Sequence, residues 1–541
     1  MRMLYIVSGS VMILAWVIPD HYLPWRAFYN EFFSFLAFLF LWGSQIANRK
    51  YISCFVFVGI IVLAFIFIQY GLGIYFFRSD AVMAGIYIGS ALLAYQLGLS
   101  LKRNSEIFWL AVVLAVGGGI NALIGIAQWL QVESFWTIPQ SGGRSEGNLG
   151  QANNYATLLV WALVANIYLF LNRATSFAFF LFLGFLLIAG ILVSESRTPI
   201  VQLCFVFVWL FWGCRGFVSI DERIKASVPI VIYGVAYLFY PMLDAVWNFS
   251  DPEGVRLVTG SYGKRVAIWL SLAPAVLNSP PLGYGVGQVS VAQFSYLNEF
   301  AETVEMVEHS HNLIIDMVVW FGPVLGGGLA LFILIWIARR YFQRISGNEW
   351  FLLAIIAVVL IHSMLEYPIE YAYFLLPVAF VLGLADRNKV KLAEIAVGRF
   401  FYSGTLLVLM IVGAGVIWRE YRVLEEDHRL MRGQNFGLPI DGKINLSQSV
   451  AVIDGEREYI QFARKKAHAD MSETDLLWMK MVVYRYPFPV LIYRYSVALA
   501  LNNREAEGYL ELQKIKHLYG ETLYEYYKYF MEGSVAAGRE V

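Results

Sequence analysis

Long apolar runs, each ended by a short polar segment, recur from the N-terminus to about residue 417. A helix crossing a bilayer needs roughly 20 consecutive apolar residues. The pattern predicts thirteen spans, near 3–18, 32–48, 53–71, 81–100, 107–130, 155–171, 176–193, 199–213, 227–245, 313–336, 351–366, 371–385 and 402–418. The first run lacks a small-x-small cleavage site and more spans follow it, so it reads as a retained span rather than a signal. From residue 419 the chain turns polar, rich in Tyr, Glu and Lys at helical spacing. Tyr493, Ala498 and Leu499, then Asn502-Asn503, then Ala506, Leu510 and Leu512 predict two helices joined by a tight turn. This tail looks like a degenerate tetratricopeptide-type repeat with fewer than three clear units. The expected architecture is all-α. Residues 1–245 and 313–418 form the transmembrane part, 246–312 a large loop, and 419–541 a small helical accessory domain.

Charge placement sets the expected sidedness. Arg49, Lys50, Lys102, Arg103, Arg173, Arg215, Arg223, Lys225, Arg339, Arg340, Arg344, Arg387, Lys389, Lys391 and Arg399 fall in alternate loops, as a cytoplasmic set should. With Arg2 inside, the loops 19–31, 72–80, 131–154, 194–198, 246–312 and 367–370 lie outside, as does the tail. These outer loops nonetheless keep Arg26, Arg78, Arg144, Arg197, Arg256, Lys264 and Arg265. A snorkelling or salt-bridged role accounts for some of them; the rest require another reason.

Composition narrows the function classes. Hydrophobic residues make up 59% and charged ones 15%, and 40 basic residues cancel 40 acidic ones. No basic surplus points to nucleic acid. Cys54, Cys204 and Cys214 lie in or beside spans and form no metal or disulfide pattern.

The polar motifs gather on the outer side. Loop 131–154 carries Arg144 among Gly147, Asn148, Gly150, Gln151 and Asn153, a composition suited to presenting backbone amides to an anion or to a plain glycine-rich connector. Ser196-Arg197-Thr198-Pro199 opens the eighth span, which puts Arg197 at a helix N-terminus where anions are favoured and where Ser196 or Thr198 can cap. Arg265 and Trp269 share a face of a short amphipathic helix over 264–277. His309-Ser310-His311-Asn312 precedes the tenth span. The His pair lacks a third ligand cluster, so no metal is expected; His311 is the candidate general base. His362, Glu366 and Tyr367 close the eleventh span, and an ionisable group there marks either a site or a packed polar hinge. One Arg–phosphate contact at ~4 Å contributes roughly 4 kcal/mol at an effective dielectric near 20. Two or three would bind a diphosphate and stabilise it as a leaving group. Nucleotide motifs and acidic metal clusters are not evident, so the driving energy is expected to reside in a lipid-linked anionic substrate.

Arg144 with Gly147-Asn148-Leu149-Gly150-Gln151-x-Asn153, Ser196-Arg197-Thr198, Arg265-x3-Trp269, Pro281-Leu-Gly-x-Gly and His311-Asn312 together resemble the bacterial O-antigen ligase/polymerase superfamily. His21-x2-Pro24-Trp25 and His362-Ser-x-Leu-Glu366-Tyr367-Pro look like the protein O-oligosaccharyltransferases of PglL type within it. The chain departs from the pattern at Ala152, often Pro, and at Asp316, often Gln. The resemblance implies a bacterial inner-membrane enzyme with its active site facing the periplasm. It implies inverting transfer, without metal or cofactor, of a whole glycan from undecaprenyl diphosphate to Ser or Thr of an exported protein such as pilin. On that basis His311 activates the hydroxyl and Arg144, Arg197 and Arg265 engage the diphosphate, with Asn148, Gln151, Asn153, Ser196, Trp269, His309, Asn312, His362, Glu366 and Tyr367 in support. An O-antigen ligase acting on lipid A-core and an O-antigen polymerase share this donor chemistry. A transporter or flippase would instead show internal repeats and broken midplane helices, and the sequence pattern predicts neither.

Overall fold

The computed structural model describes residues 2–46, 51–101, 104–132, 134–139, 143–247, 261–300, 303–389, 393–394, 399–438 and 445–540. Arg49, Lys50, Lys102, Arg103, Arg256 and Lys391 lie outside them. Among the described residues there are twenty α-helices: α1 (Arg2–Val17), α2 (Phe28–Ser44), α3 (Cys54–Gly71), α4 (Arg78–Ser100), α5 (Ser105–Trp129), α6 (Ala152–Leu171), α7 (Phe177–Val193), α8 (Thr198–Gly213), α9 (Ile220–Trp247), α10 (Ser261–Leu277), α11 (Val289–Tyr296), α12 (Leu313–Tyr341), α13 (Gly347–Ser363), α14 (Ala372–Asp386), α15 (Arg399–Asn435), α16 (Asp454–Arg464), α17 (Glu473–Arg485), α18 (Pro489–Leu501), α19 (Glu505–Tyr519) and α20 (Glu521–Ala537). The described strands are two residues long, with Tyr51 opposite Glu394.

Every predicted span has its own helix. The largest boundary differences are at α9, which starts earlier, and α15, which runs on to Asn435. Helices α3, α4, α5, α6 and α12 and the Phe401–Asn435 stretch of α15 are long and apolar enough to cross a membrane; α1, α7, α8, α13 and α14 are shorter apolar helices. The α15 stretch buries only 6% of its apolar window inside the protein, so those side chains need a lipid-like surrounding. The chain is an all-α, multi-pass membrane protein.

Contacts divide the chain into two compact units. The first comprises Met1–Ile60, Tyr87–Thr259 and Trp336–Ala414; the second comprises Ile61–Ile86, Gly260–Ile335 and Gly415–Val541. In the first, α6 is buried almost throughout, a helix apolar on all faces and therefore central. Helices α8 and α13 cross it, and Trp209 and Trp350 each donate an indole N–H to the other's carbonyl, at 3.2 and 3.0 Å. Helices α4 and α14 cross at Gly98 and Gly383, where an added Cβ would lie 2.2 Å from the Phe380 carbonyl oxygen and 2.0 Å from that of Tyr95. Small residues let helix backbones approach this closely.

The second unit joins the large-loop helices α10 and α11, part of α12 and the tail helices α16 to α20. Helices α18 and α19 form the predicted pair, with Asn503 at φ +63° in the turn between them. Gly508 lets them close, since a Cβ there would come within 2.6 Å of the Ser496 carbonyl oxygen.

One expectation is corrected. The tenth span is not continuous: α12 breaks at Gly322 (φ 77°, ψ 170°), followed by Pro323. Proline removes an N–H and clashes with the preceding turn, and glycine tolerates the positive φ. The loop 281–285 fills the break. Tyr284 N–H donates to Val319 O (2.8 Å), Gly285 N–H to Trp320 O (3.0 Å), and Gln69 Nε2 to Trp320 O (2.7 Å). The carbonyls freed by the break thus bond within the chain.

The tight crossing makes a first prediction. Gly383→Val should lower the thermal midpoint of the detergent-solubilised protein by an overpacking cost of about 1–3 kcal/mol. Gly404→Ala, whose Cβ would meet nothing within 4 Å, should leave the midpoint unchanged. Equal midpoints for Gly383→Val and the parent would contradict the close approach.

Candidate functional site

In the first unit a glycine-rich turn is pinned by side chains from inside the helices. Gln128 Oε1 accepts the Glu146 and Gly147 N–H groups (3.1 and 2.9 Å), and its Nε2 donates to Gly147 O (2.8 Å). Asn148 Nδ2 donates to Val17 O and Trp136 O, both at 2.6 Å. The Asn148 carbonyl lies 3.0 Å from His21 Nε2 and 3.2 Å from Asn30 Nδ2, which donates to it. Burial first, and the charge of Arg26, lower the His21 pKa against the bond to Asn148, which raises it. Gly147 and Gly150 have φ of +56° and +64°, and a Cβ on either would strike the ring of Tyr155 or of His21. The glycines are needed both for the backbone and for the space.

This turn delivers Arg144 to the segment that bears Arg197. Arg144 Nε donates to Ser194 O (3.0 Å), and Ser145 N–H donates to Val193 O (3.1 Å). Glu195 stands in the left-handed region (φ +49°), and Arg197 occupies the N-cap position of α8, with Pro199 in the first turn. Ser196 does not cap the helix. Its Oγ donates to Asn153 Oδ1 (2.6 Å), while Asn153 Nδ2 donates to Glu366 Oε1 (3.1 Å). The structure therefore brings Arg144, Ser196, Arg197, Asn153 and Glu366 to one place. Both arginine side chains are partly exposed there.

The remaining first-unit candidates separate. Gln151 stands at the N-cap position of α6 without a side-chain cap bond, and among the described residues its buried Oε1 has no hydrogen-bond partner. His362 is fully buried, with Nδ1 2.9 Å from Thr157 Oγ1, which accepts from Gln202 Nε2 (3.0 Å). These bonds tie α6, α8 and α13 together inside the core, so the hinge reading fits His362 better. Tyr367 packs against Tyr371, with ring centroids 6.0 Å apart.

In the second unit, residues 309–312 form a tightly held turn. His311 has φ +59°, a conformation few non-glycine residues adopt unless their surroundings impose it. Asn312 Oδ1 caps α12 by accepting from Ile314 N–H (3.0 Å) and Ile315 N–H (3.3 Å). Asp316 Oδ1 accepts from Ser310 N–H (2.8 Å), and Ser310 Oγ donates to Asn312 O (2.9 Å). Trp269 Nε1 donates to Ser310 O (2.9 Å) across from α10. Arg265 stands one turn before Trp269 on that face of α10. His311 is half-buried. Burial, with the charges of His311 and Arg485, pushes the His309 imidazole down to about 3, which leaves it neutral. No group of three or more potential metal ligands occurs among the described residues.

Several of these supports are not singled out by the sequence pattern. Gln128 and Asn30 carry only the general signal of a polar side chain inside an apolar run. Tyr155, wedged against Gly125, Gly147 and Gly190, carries none. Asp316 is visible as a departure from the family pattern, and its role here is to hold the Ser310 backbone.

Comparison with known proteins places two segments of the chain in described families. Residues 182–329 match the family described as O-antigen ligase, and residues 350–529 match the family described as virulence factor membrane-bound polymerase, C-terminal. Two proteins of Acinetobacter baylyi are similar along nearly the whole chain. A general O-oligosaccharyltransferase is 26% identical over 539 residues, covering 96% of this chain and 93% of its own. A ComP-specific O-oligosaccharyltransferase is 26% identical over 509 residues, covering 91% and 90%. Over nearly its whole length the chain is similar to O-oligosaccharyltransferases, and its partial match to the O-antigen ligase family supports a place beside them in that superfamily.

Proposed function

We propose that this enzyme transfers a preassembled glycan en bloc from undecaprenyl diphosphate to Ser or Thr hydroxyls of exported proteins, pilin among them. It sits in the inner membrane with thirteen spans and works on the periplasmic side. His311 takes the proton from the acceptor hydroxyl. The acceptor oxygen bonds to the anomeric carbon as the bond from that carbon to the diphosphate oxygen breaks, with inversion. Undecaprenyl diphosphate leaves with the electron pair, and Arg144, Arg197 and Arg265 hold its charge. No metal takes part, because guanidinium groups supply the positive charge that the leaving group needs. Asn148, Gln151, Asn153, Ser196 and Glu366 support the arginine turns, and Trp269, His309 and Asn312 support the His311 turn.

The observation that carries this reading is the His311 turn. His311 stands partly open in a sparsely populated backbone conformation, its neighbours Ser310 and Asn312 are held by four hydrogen bonds, and α10, which bears Arg265, reaches the turn through Trp269. Strain of order 1–3 kcal/mol persists where the surroundings over-determine it, as sites that orient a reacting group do. The two Acinetobacter relatives support a protein acceptor. The match to O-antigen ligases keeps lipid A-core as the alternative acceptor, since both reactions use the same donor chemistry.

Loss of the gene decides between acceptors. Glycan should disappear from exported proteins while lipopolysaccharide stays intact; the reverse would assign a ligase. His311→Ala should abolish transfer by the purified protein while leaving membrane insertion unaltered, and parental turnover would remove the base assignment. Arg197→Lys should lose more rate than charge alone explains, because the planar fork that grips a phosphate is gone; an unaffected rate would count against diphosphate contact. Chelators should leave transfer unchanged, and a loss restored by added metal would contradict the metal-free mechanism.

A further inference from the structure

The tail does more than pack beside the large loop. Arg485, at the end of α17, donates from Nε to both carboxylate oxygens of Asp80 (3.2 and 3.3 Å) and from Nη2 to Asp80 Oδ1 (3.1 Å). The two side chains are 14% and 9% exposed, so this is a buried, forked ion pair rather than a surface contact. The Arg485 carbonyl accepts from Ser290 Oγ at the start of α11 (3.0 Å), and its guanidinium lies 4.9 Å from the Tyr486 ring centre. Next to it, Asp454 of α16 caps the start of α4, accepting from Ser79 N–H (2.7 Å) and Arg78 N–H (3.3 Å), while Ser79 Oγ accepts from Gly455 N–H (3.0 Å). Helix α4 and the tail therefore cap one another.

Through Ser290 the end of α17 also holds α11, whose Gln293 donates to Glu305 O (3.1 Å) and accepts from Val307 N–H (3.2 Å) just before the His311 turn. Burial opposes the charge of Arg485, yet the fields of Asp80, Tyr486 and Glu308 and its bonds to Asp80 outweigh that and hold its pKa above the ordinary value. Glu308 immediately precedes His309, which in turn feels Arg485. Glu456 joins the same group of charges. Upstream, Val304 N–H donates to His517 O of α19 (2.7 Å), so the tail grips this segment at a second point. Downstream the turn is held by Trp269, Asn312 and Asp316. A residue at φ +59° needs restraint from both sides, and the upstream restraint comes from α11 through Gln293 and from the tail through His517.

We infer that Arg485 is a positioning residue for His311: by its pair with Asp80 the tail fixes residues 308–311, so the helical array is part of the catalytic apparatus. This rests on the transferase reading for its kinetic consequence but not for its structural one. The experiment uses the full chain in lipid nanodiscs, with an undecaprenyl-diphosphate-linked glycan and an acceptor protein. Arg485→Gln should lower kcat about 100-fold, as a ~1 Å misplacement does, with the KM for donor unchanged. Arg485→Lys, which keeps the charge without the fork, should fall between. Amide exchange over residues 308–312 should accelerate in Arg485→Gln, while exchange in α6 and α13 stays at the parental rate. Asp80→Asn should accelerate the same amides and serves as the second variant if Arg485→Gln does not fold. Parental kcat in folded Arg485→Gln, or lost activity with unchanged exchange over 308–312, would overturn the inference. If the parent itself transfers no glycan, the transferase reading fails, and the exchange comparison alone decides whether Arg485 fixes the turn.

Discussion

Inside a membrane protein each buried polar group must find its partner within the chain, because lipid offers none. That constraint shapes the three irregular places described here. The glycine-rich turn is satisfied by Gln128 and Asn148, the break in α12 by Tyr284, Gly285 and Gln69, and the His311 turn by Asp316, Asn312 and Trp269. In each case side chains or loop backbone take the place of the missing helical bond. Backbone that would otherwise be costly becomes rigid, and a rigid turn can hold a guanidinium or an imidazole in one orientation.

Much of the fold can be read directly from the chain because its signal is local. A run of apolar residues long enough to span is unambiguous, and all thirteen runs become helices. The same holds for the N-terminal position of Arg197 on α8, marked by Pro199, and for the face shared by Arg265 and Trp269, set by a four-residue spacing. The helix pair flanking Asn502-Asn503 was marked by its turn residues. The break at Gly322-Pro323 had a local signal too, but apolar residues on both sides mask it.

What sequence patterning does not reveal is long-range pairing. Nothing near Arg144 in the sequence announces Ser194 as its partner, nor does anything near Ser196 announce Asn153. Asp80 and Arg485 are 405 residues apart, and each alone looks like an ordinary helix-end charge. Sequence segmentation separates the large loop from the tail, whereas contacts place them in one compact unit. His362 shows the value of long-range contacts in the other direction. A histidine near a span end carries the pattern of a site, but its bond to Thr157 puts it inside the core.

In the proposed reaction the His311 imidazole and the arginine guanidinium groups act on one lipid diphosphate donor. The most direct measurement incubates the purified chain with an undecaprenyl-diphosphate-linked glycan and an exported acceptor protein, then follows both products by mass. The account predicts an acceptor heavier by one intact glycan and an equal amount of free undecaprenyl diphosphate. Release of undecaprenyl monophosphate, or an unmodified acceptor while lipid A-core gains the glycan, would contradict it.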